Sequence, residues 1–169
     1  MPVLQLELPE LDATNRLGAL LADGLRAGDI ISLTGSLGAG KSALARAIIS
    51  AASPGETDIP SPSFTLVQSY ELADGTPLWH LDLYRVESPE EAMALGLDDA
   101  FIDAVCLIEW PDRLAKLLPK TNLSVHLTIP DTAIVGDNDE TGAPRLADIT
   151  APPYWAERLT AIIAKTHLV

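Results

Sequence analysis

Cysteine is nearly absent from this chain: Cys106 stands alone in 169 residues, so no internal disulfide can form. That usage suits a reducing compartment. Aromatic residues are also scarce, at 5 % against 47 % hydrophobic residues, which makes the expected core aliphatic. Basic residues are few: 11 Lys and Arg face 24 Asp and Glu, for a net charge of −13. A surface this acidic repels a phosphate backbone beyond any local site. Work in a nucleic-acid pathway would then run through protein partners, with nucleic acid touched only indirectly; the alternative is that the acidity serves solubility alone. No apolar run approaches the ~20 residues of a membrane span. The stretch from Met1 to Glu7 lacks the basic-then-apolar layout of a secretion leader. The expectation is a cytoplasmic protein without membrane attachment, folded as one domain over 1–169.

Against these absences stands the run from Gly35 to Ser42, GSLGAGKS, which matches G-x-x-x-x-G-K-[ST]. Glycines let such a loop curl until successive N–H groups point at phosphate oxygens. The reading assigns nucleotide binding to Gly35, Ser36, Leu37, Gly38, Ala39, Gly40, Lys41, Ser42 and Ala43. Lys41 reaches the β- and γ-phosphates, and the Ser42 hydroxyl is placed to ligate Mg²⁺. The setting agrees. Asp29 to Thr34 is a short β-branched run that reads as a buried strand, and Ala43 to Ala52 reads as a helix. That helix adds its positive dipole end to the anion site.

Around this centre the pattern predicts an edge strand from Val3 to Leu8. A helix follows, capped by Asp12 or Thr14 and running to about Leu25, with Leu17, Leu20, Leu21 and Leu25 on its buried side. Ser63 to Leu72 and Pro77 to Tyr84 alternate around Asp74-Gly75, a hairpin signal. A hairpin at this point implies a mixed sheet. Ser88-Pro-Glu-Glu91 reads as a capping box opening a short helix to about Leu95. Ala104 to Ile108 is the next buried strand. A helix from Asp112 to Leu118, a strand from Asn122 to Ile129, an acidic loop over 131–144, a strand from Arg145 to Thr150 and a helix from Tyr154 to Lys165 complete the chain. The expected fold class is α/β, a P-loop nucleotide-triphosphatase fold whose mixed central sheet is flanked by helices.

Hydrolysis needs more than a phosphate loop: a metal beside the phosphates and a group that positions water. Glu109 follows the strand Val105 to Ile108, which would deliver it to the sheet edge where ligands bind. Trp110 follows, either packing near the nucleotide or capping the core. Within Trp79 to Arg85, alternation puts His80, Asp82 and Tyr84 on one face and Leu81 and Leu83 on the other. A polar ridge of that kind is costly in a core unless it serves a site. The turn Ser61-Pro-Ser-Phe64 lies where a hydroxyl, that of Ser63, could sense the γ-phosphate.

Taken in order, these segments resemble the TsaE (YjeE) family, small bacterial ATPases of tRNA threonylcarbamoyladenosine formation. The residues that carry the resemblance are Leu17-Gly18, Gly35 to Ser42, Ser61 to Phe64, His80-Leu-Asp-Leu-Tyr-Arg85, Leu95-Gly-Leu97 and Ile108-Glu-Trp-Pro111. It covers roughly residues 11 to 130. It implies that Lys41 holds the phosphates and that Ser42 and Glu109 bind Mg²⁺. It further implies that Asp82 assists hydrolysis by orienting water or a metal-bound water, and that Ser61 to Phe64 acts as a nucleotide-sensitive switch. Activity would be weak alone and would serve a complex with TsaD and TsaB. ATP rather than GTP also rests on the resemblance. The chain departs from the family at Ser36, where an acidic residue is usual, and at Ser42 and Ser63, where threonine is common. Two rival readings remain open on the residues. A phosphate-loop small-molecule kinase needs an arginine-bearing lid, and arginines are few here. A nucleotide-binding scaffold without turnover would carry the same residues.

Overall fold

A computed structural model of the protein describes residues 3–131 and 143–164. Seven strands form one sheet: β1 (Val3–Leu8), β2 (Ile30–Thr34), β3 (Val67–Glu71), β4 (Pro77–Asp82), β5 (Val105–Glu109), β6 (Leu123–Thr128) and β7 (Arg145–Thr150). Their spatial order is β1-β7-β6-β2-β5-β4-β3. The inner strands β6, β2, β5 and β4 run parallel, while β3, β7 and β1 pair antiparallel at the flanks. The sheet is thus mixed, as the hairpin implied. At its turn the Thr76 N–H donates to Asp74 Oδ1 at 2.9 Å, and Gly75 takes the left-handed φ of +86°.

Helices α1 (Leu11–Ala22), α2 (Lys41–Ala52) and α5 (Pro153–Ala164) cover one face of the sheet. Leu17, Leu21, Leu44, Ile48, Trp155 and Leu159 meet Ile31, Leu33, Leu107 and Val125 there. The opposite face is covered over β4 and β5 by α3 (Pro89–Met93), α4 (Leu97–Asp103) and a 3-10 segment, Pro111–Leu117. Strand alternation sends Val105 and Leu107 to the first face and Cys106 and Ile108 to the second. Both cores are mainly aliphatic.

Several boundaries differ from the sequence pattern. Helix α1 starts at Leu11 after Glu10, which makes no side-chain cap, so Asp12 and Thr14 lie in its first turn. It stops at Ala22; Leu25 is buried beyond it, and Leu20 is only half-buried. Strand β3 begins at Val67 because residues 63–65 form a turn, and β4 ends at Asp82, leaving Tyr84 outside the ladder. Helix α4 was not anticipated. Its seven residues bury only Leu97 and Ala100, too few to display a period. The helix expected from Asp112 is a 3-10 segment broken at Ala115, whose φ of 49° and ψ of −121° interrupt helical bonding. Ser88 does cap α3, accepting from the Glu91 N–H at 3.1 Å, with Pro89 first in the helix. The acidic loop expected over 131–144 and the helix end at Lys165 fall largely outside the described residues.

Candidate functional site

The loop between β2 and α2 stands at the carboxyl ends of the parallel strands. Gly35 there has φ +140°, and a Cβ on it would lie 2.4 Å from the Leu127 carbonyl oxygen. Only glycine lets the loop turn so close to β6. Gly40, with φ +105°, adopts a left-handed conformation just before α2. Lys41 opens α2 and is buried, with its Nζ donating to the carbonyls of Gly35 and Ser36, both at 2.8 Å. Burial lowers its pKa from the ordinary lysine value, and the charges of Glu109 and Asp82 oppose that shift. The ring centre of Trp110 lies 4.5 Å from Nζ, a cation–π contact that covers the ammonium.

Parallel pairing of β4 with β5 places Asp82 opposite Glu109, and pairing of β5 with β2 places Glu109 opposite Leu33. Two buried carboxylates, 7 % and 2 % exposed, are therefore delivered beside the phosphate loop. Ser42 Oγ donates to Glu109 Oε1 at 2.9 Å. On the other oxygen, Oε2, Glu109 meets His80 Nε2 at 2.7 Å. A carboxylate only accepts, so Nε2 carries the hydrogen of that bond. The other ring nitrogen, Nδ1, is buried with no hydrogen-bond partner among the described residues. Asp82 Oδ2 accepts from Ser63 Oγ at 3.2 Å, and Oδ1 accepts from the Tyr84 N–H at 3.0 Å. Ser63 in turn lies 2.8 Å from Ser61 Oγ. The polar ridge expected on β4 thus consists of His80 and Asp82. Tyr84 instead packs on Trp110 in a tilted arrangement, with ring centroids 4.9 Å apart and the ring planes 49° from parallel.

A cavity of about 470 Å³ joins these groups. Leu37, Gly38, Gly40, Lys41, Ser42 and Ala43 line one side, and Ser63, Asp82, Glu109 and Trp110 another. Gly35, Ser36 and Ala39 hold the loop from behind the cavity lining, through the two lysine-bound carbonyls and a turn bond from the Ala39 N–H to the Ser36 oxygen at 3.1 Å. Every residue assigned from the sequence is therefore gathered into one region. Glu10, Leu11, Thr14, Arg46 and Arg145 also line the cavity and escaped the sequence reading. Glu10 immediately precedes α1, Leu11 and Thr14 lie on α1, Arg46 lies on α2 and Arg145 opens β7, so none belongs to a local motif. A larger groove, about 930 Å³, lies at the far ends of α1 and α2. Its walls are mostly alanine and leucine, without a phosphate cradle, so the chemistry belongs to the smaller cavity.

The donors suit a hard, oxygen-seeking cation: one hydroxyl and two carboxylates, with no thiol. Among the described residues no three His, Cys, Asp or Glu side chains form a group that could hold a metal. A magnesium ion would need a nucleotide's phosphates to complete its shell, which is its usual habit. The set fits Mg²⁺ bound together with a nucleotide.

The family model described as threonylcarbamoyl adenosine biosynthesis protein TsaE matches residues 8–134. The tRNA threonylcarbamoyladenosine biosynthesis protein TsaE of Rickettsia felis is 40 % identical over 120 residues, 71 % of this chain and 70 % of that protein. Its namesake from a Nostoc species is 40 % identical over 130 residues, covering 73 % of this chain and 77 % of the relative. The crystal structure of Bacillus subtilis YdiB superposes with a TM-score of 0.73 at 27 % identity, covering 98 % of this chain and 97 % of that one.

Proposed function

The chain belongs to the TsaE family of tRNA threonylcarbamoyladenosine biosynthesis proteins, and from that premise we propose that it is a Mg²⁺-dependent ATPase subunit of that modification. The observation that carries the proposal is the contact between Ser42 and Glu109 beside Lys41 and Asp82. That contact sets a hydroxyl and a carboxylate, the oxygen ligands Mg²⁺ takes, beside the phosphate loop.

Lys41 leaves the Gly35 and Ser36 carbonyls and donates to the β- and γ-phosphates. The loop N–H groups and the start of α2 hold the remaining phosphate oxygens. Ser42 and Glu109 would hold a magnesium ion, with Asp82 nearby, and the ion would supply charge neutralisation on the transferred phosphoryl group. His80 keeps Glu109 oriented by occupying its second oxygen. Asp82 orients the attacking water, and its bond to Ser63 links that role to Ser61–Phe64, the segment that responds to the nucleotide. Trp110 shields the ammonium from bulk water, which strengthens its attraction to phosphate.

Turnover is weak in isolation and serves a cytoplasmic complex with TsaD and TsaB, through which tRNA is engaged only indirectly. Exposed large apolar side chains on and beside the cavity lining support a partner that reads its state: Leu11 and Leu37 line the cavity, Phe64 (82 % exposed) follows the lining residue Ser63, and Tyr84 packs on the lining Trp110. Exposed apolar patches usually mark interaction surfaces. The net charge of −13 suits a subunit that does not grip RNA itself.

The test measures ATP binding and phosphate release with and without TsaB and TsaD. Lys41→Ala should abolish binding, while Asp82→Ala and Glu109→Ala should lose hydrolysis and largely keep binding. Partners should raise wild-type turnover markedly. Equal turnover in wild type and Glu109→Ala would remove the metal role. Transfer of phosphate to an acceptor, rather than its release, would favour a kinase.

A further inference from the structure

We propose that Arg145 is a positioning residue of the phosphate loop, whose guanidinium holds the Gly38 and Ala39 carbonyls outward and so presents the loop's N–H groups to the nucleotide. The idea deepens the nucleotide-binding reading and rests on it. Arg145 lies beyond residues 8–134, the span the family model matches.

The geometry is specific. Arg145 is 9 % exposed and opens β7. Its Nε donates to the Ala39 oxygen and its Nη2 to the Gly38 oxygen, each at 3.1 Å. Nη1 donates to the carbonyls of Ala143, at 2.8 Å, and Pro144, at 3.2 Å, which fixes the guanidinium to the start of its own strand. No described peptide is cis. In a trans peptide the C=O and the following N–H point to opposite sides. Binding of the Ala39 carbonyl therefore turns the Gly40 N–H away from the guanidinium, where it joins the unpaired N–H groups that begin α2. Binding of the Gly38 carbonyl likewise directs the Ala39 N–H into its turn bond with Ser36.

Charge adds a second reason. Loop carbonyls are negative ends that would repel phosphate if they turned inward. Two cations hold four of them: Lys41 takes Gly35 and Ser36, and Arg145 takes Gly38 and Ala39. Lys41 cannot be a permanent brace, because phosphate binding needs its ammonium. Arg145 can stay. Its planar fork matches two neighbouring carbonyls at once, which the single point of a lysine ammonium does not.

The experiment compares wild type, Arg145→Met and Arg145→Lys by amide hydrogen exchange in the nucleotide-free protein and by ATP and ADP affinity. Arg145→Met should speed exchange at Ser36 to Ser42, above all at the Ala39 amide, while β2 and β5 keep wild-type protection. Both nucleotides should bind about tenfold or more weakly, the scale of one lost charge-assisted hydrogen bond. Arg145→Lys should fall between. Unchanged loop exchange overturns the proposal whatever affinity does, because weaker binding would then mean direct contact with the ligand. Equal acceleration in the central strands also overturns it, leaving a residue that only supports the fold. If Arg145→Met does not fold, Arg145→Lys is read by the same rule, and its failure to fold counts against the proposal. Absence of ATP binding in the wild type would sink the functional reading, whereas the exchange comparison would still decide what Arg145 does to the loop.

Discussion

Glu109 uses its two carboxylate oxygens for two different donors, the Ser42 hydroxyl and the His80 ring. A carboxylate only 2 % exposed would be costly without them. With both in place, its direction is set by α2 on one side and β4 on the other. On the opposite face of the same strand, Cys106 shows the contrary use of burial. Its Sγ lies 3.7 Å from the Ala100 carbonyl, and burial pushes the thiol up to about 12 from its ordinary 9.0. The unfolded chain therefore releases this proton first. The thiol's contribution to stability is intact below pH 9.0 and is lost as pH rises toward about 12, by about 1.4 kcal/mol per unit. Urea titrations across that range should show a steeper loss in wild type than in Cys106→Ala. Parallel losses would clear the thiol as the cause.

Helices α1 and α2 meet at Gly18. A Cβ there would lie 2.4 Å from the Ala47 Cβ and 2.8 and 2.9 Å from backbone atoms of Ala47 and Ile48. Backbone cannot swing aside as a side-chain tip can, so the helices must separate to admit even a methyl group. Gly18→Ala should destabilise the protein by about 1–3 kcal/mol, lowering Tm by roughly 2–4 °C for each. An unchanged Tm would mean that the pair slides apart freely. The sequence could flag Leu17-Gly18 as a matching pair but not supply this reason, because contact between helices follows no local period. Boundaries suffered from the same limit. Asp12 and Thr14 look like caps by residue type, yet the apolar phase of Ala13, Leu17 and Leu21 packs the chain as helix from Leu11. Asp82 ends β4 where its partner Glu109 ends β5, and Tyr84 is drawn to Trp110 instead of continuing the ladder.

Across the whole molecule, the end of the sheet away from the phosphate loop is fastened by Asp29. This carboxylate is fully buried before β2 and accepts from Arg158 Nη1 and Nη2 at 2.8 and 2.7 Å, from Tyr154 Oη at 3.1 Å and from the Arg26 N–H at 2.9 Å. Two of these residues lie on α5, so the cluster docks the last helix onto the first parallel strand. Arg158 is partly exposed, which softens the loss of its charge. Arg158→Met should still remove about 2–3 kcal/mol, or a Tm drop of roughly 4–12 °C. Nucleotide affinity should be unchanged, because the loop lies at the other end of β2. A fall in affinity that tracks the fall in Tm would show the two ends to be coupled.

By itself the sequence located the phosphate loop and the two carboxylates that the fold sets beside it. Gly35 to Ser42 is a contiguous motif whose chemistry is local, and Glu109 and Asp82 each end a strand whose alternation can be read from neighbours. Strand order, Arg145, the second donor on Glu109 and the Gly18 crossing were decided only by tertiary structure. Each depends on residues far apart in the chain meeting at a distance of a few ångströms, and that proximity is set by how strands pair and helices pack. No period or motif encodes it.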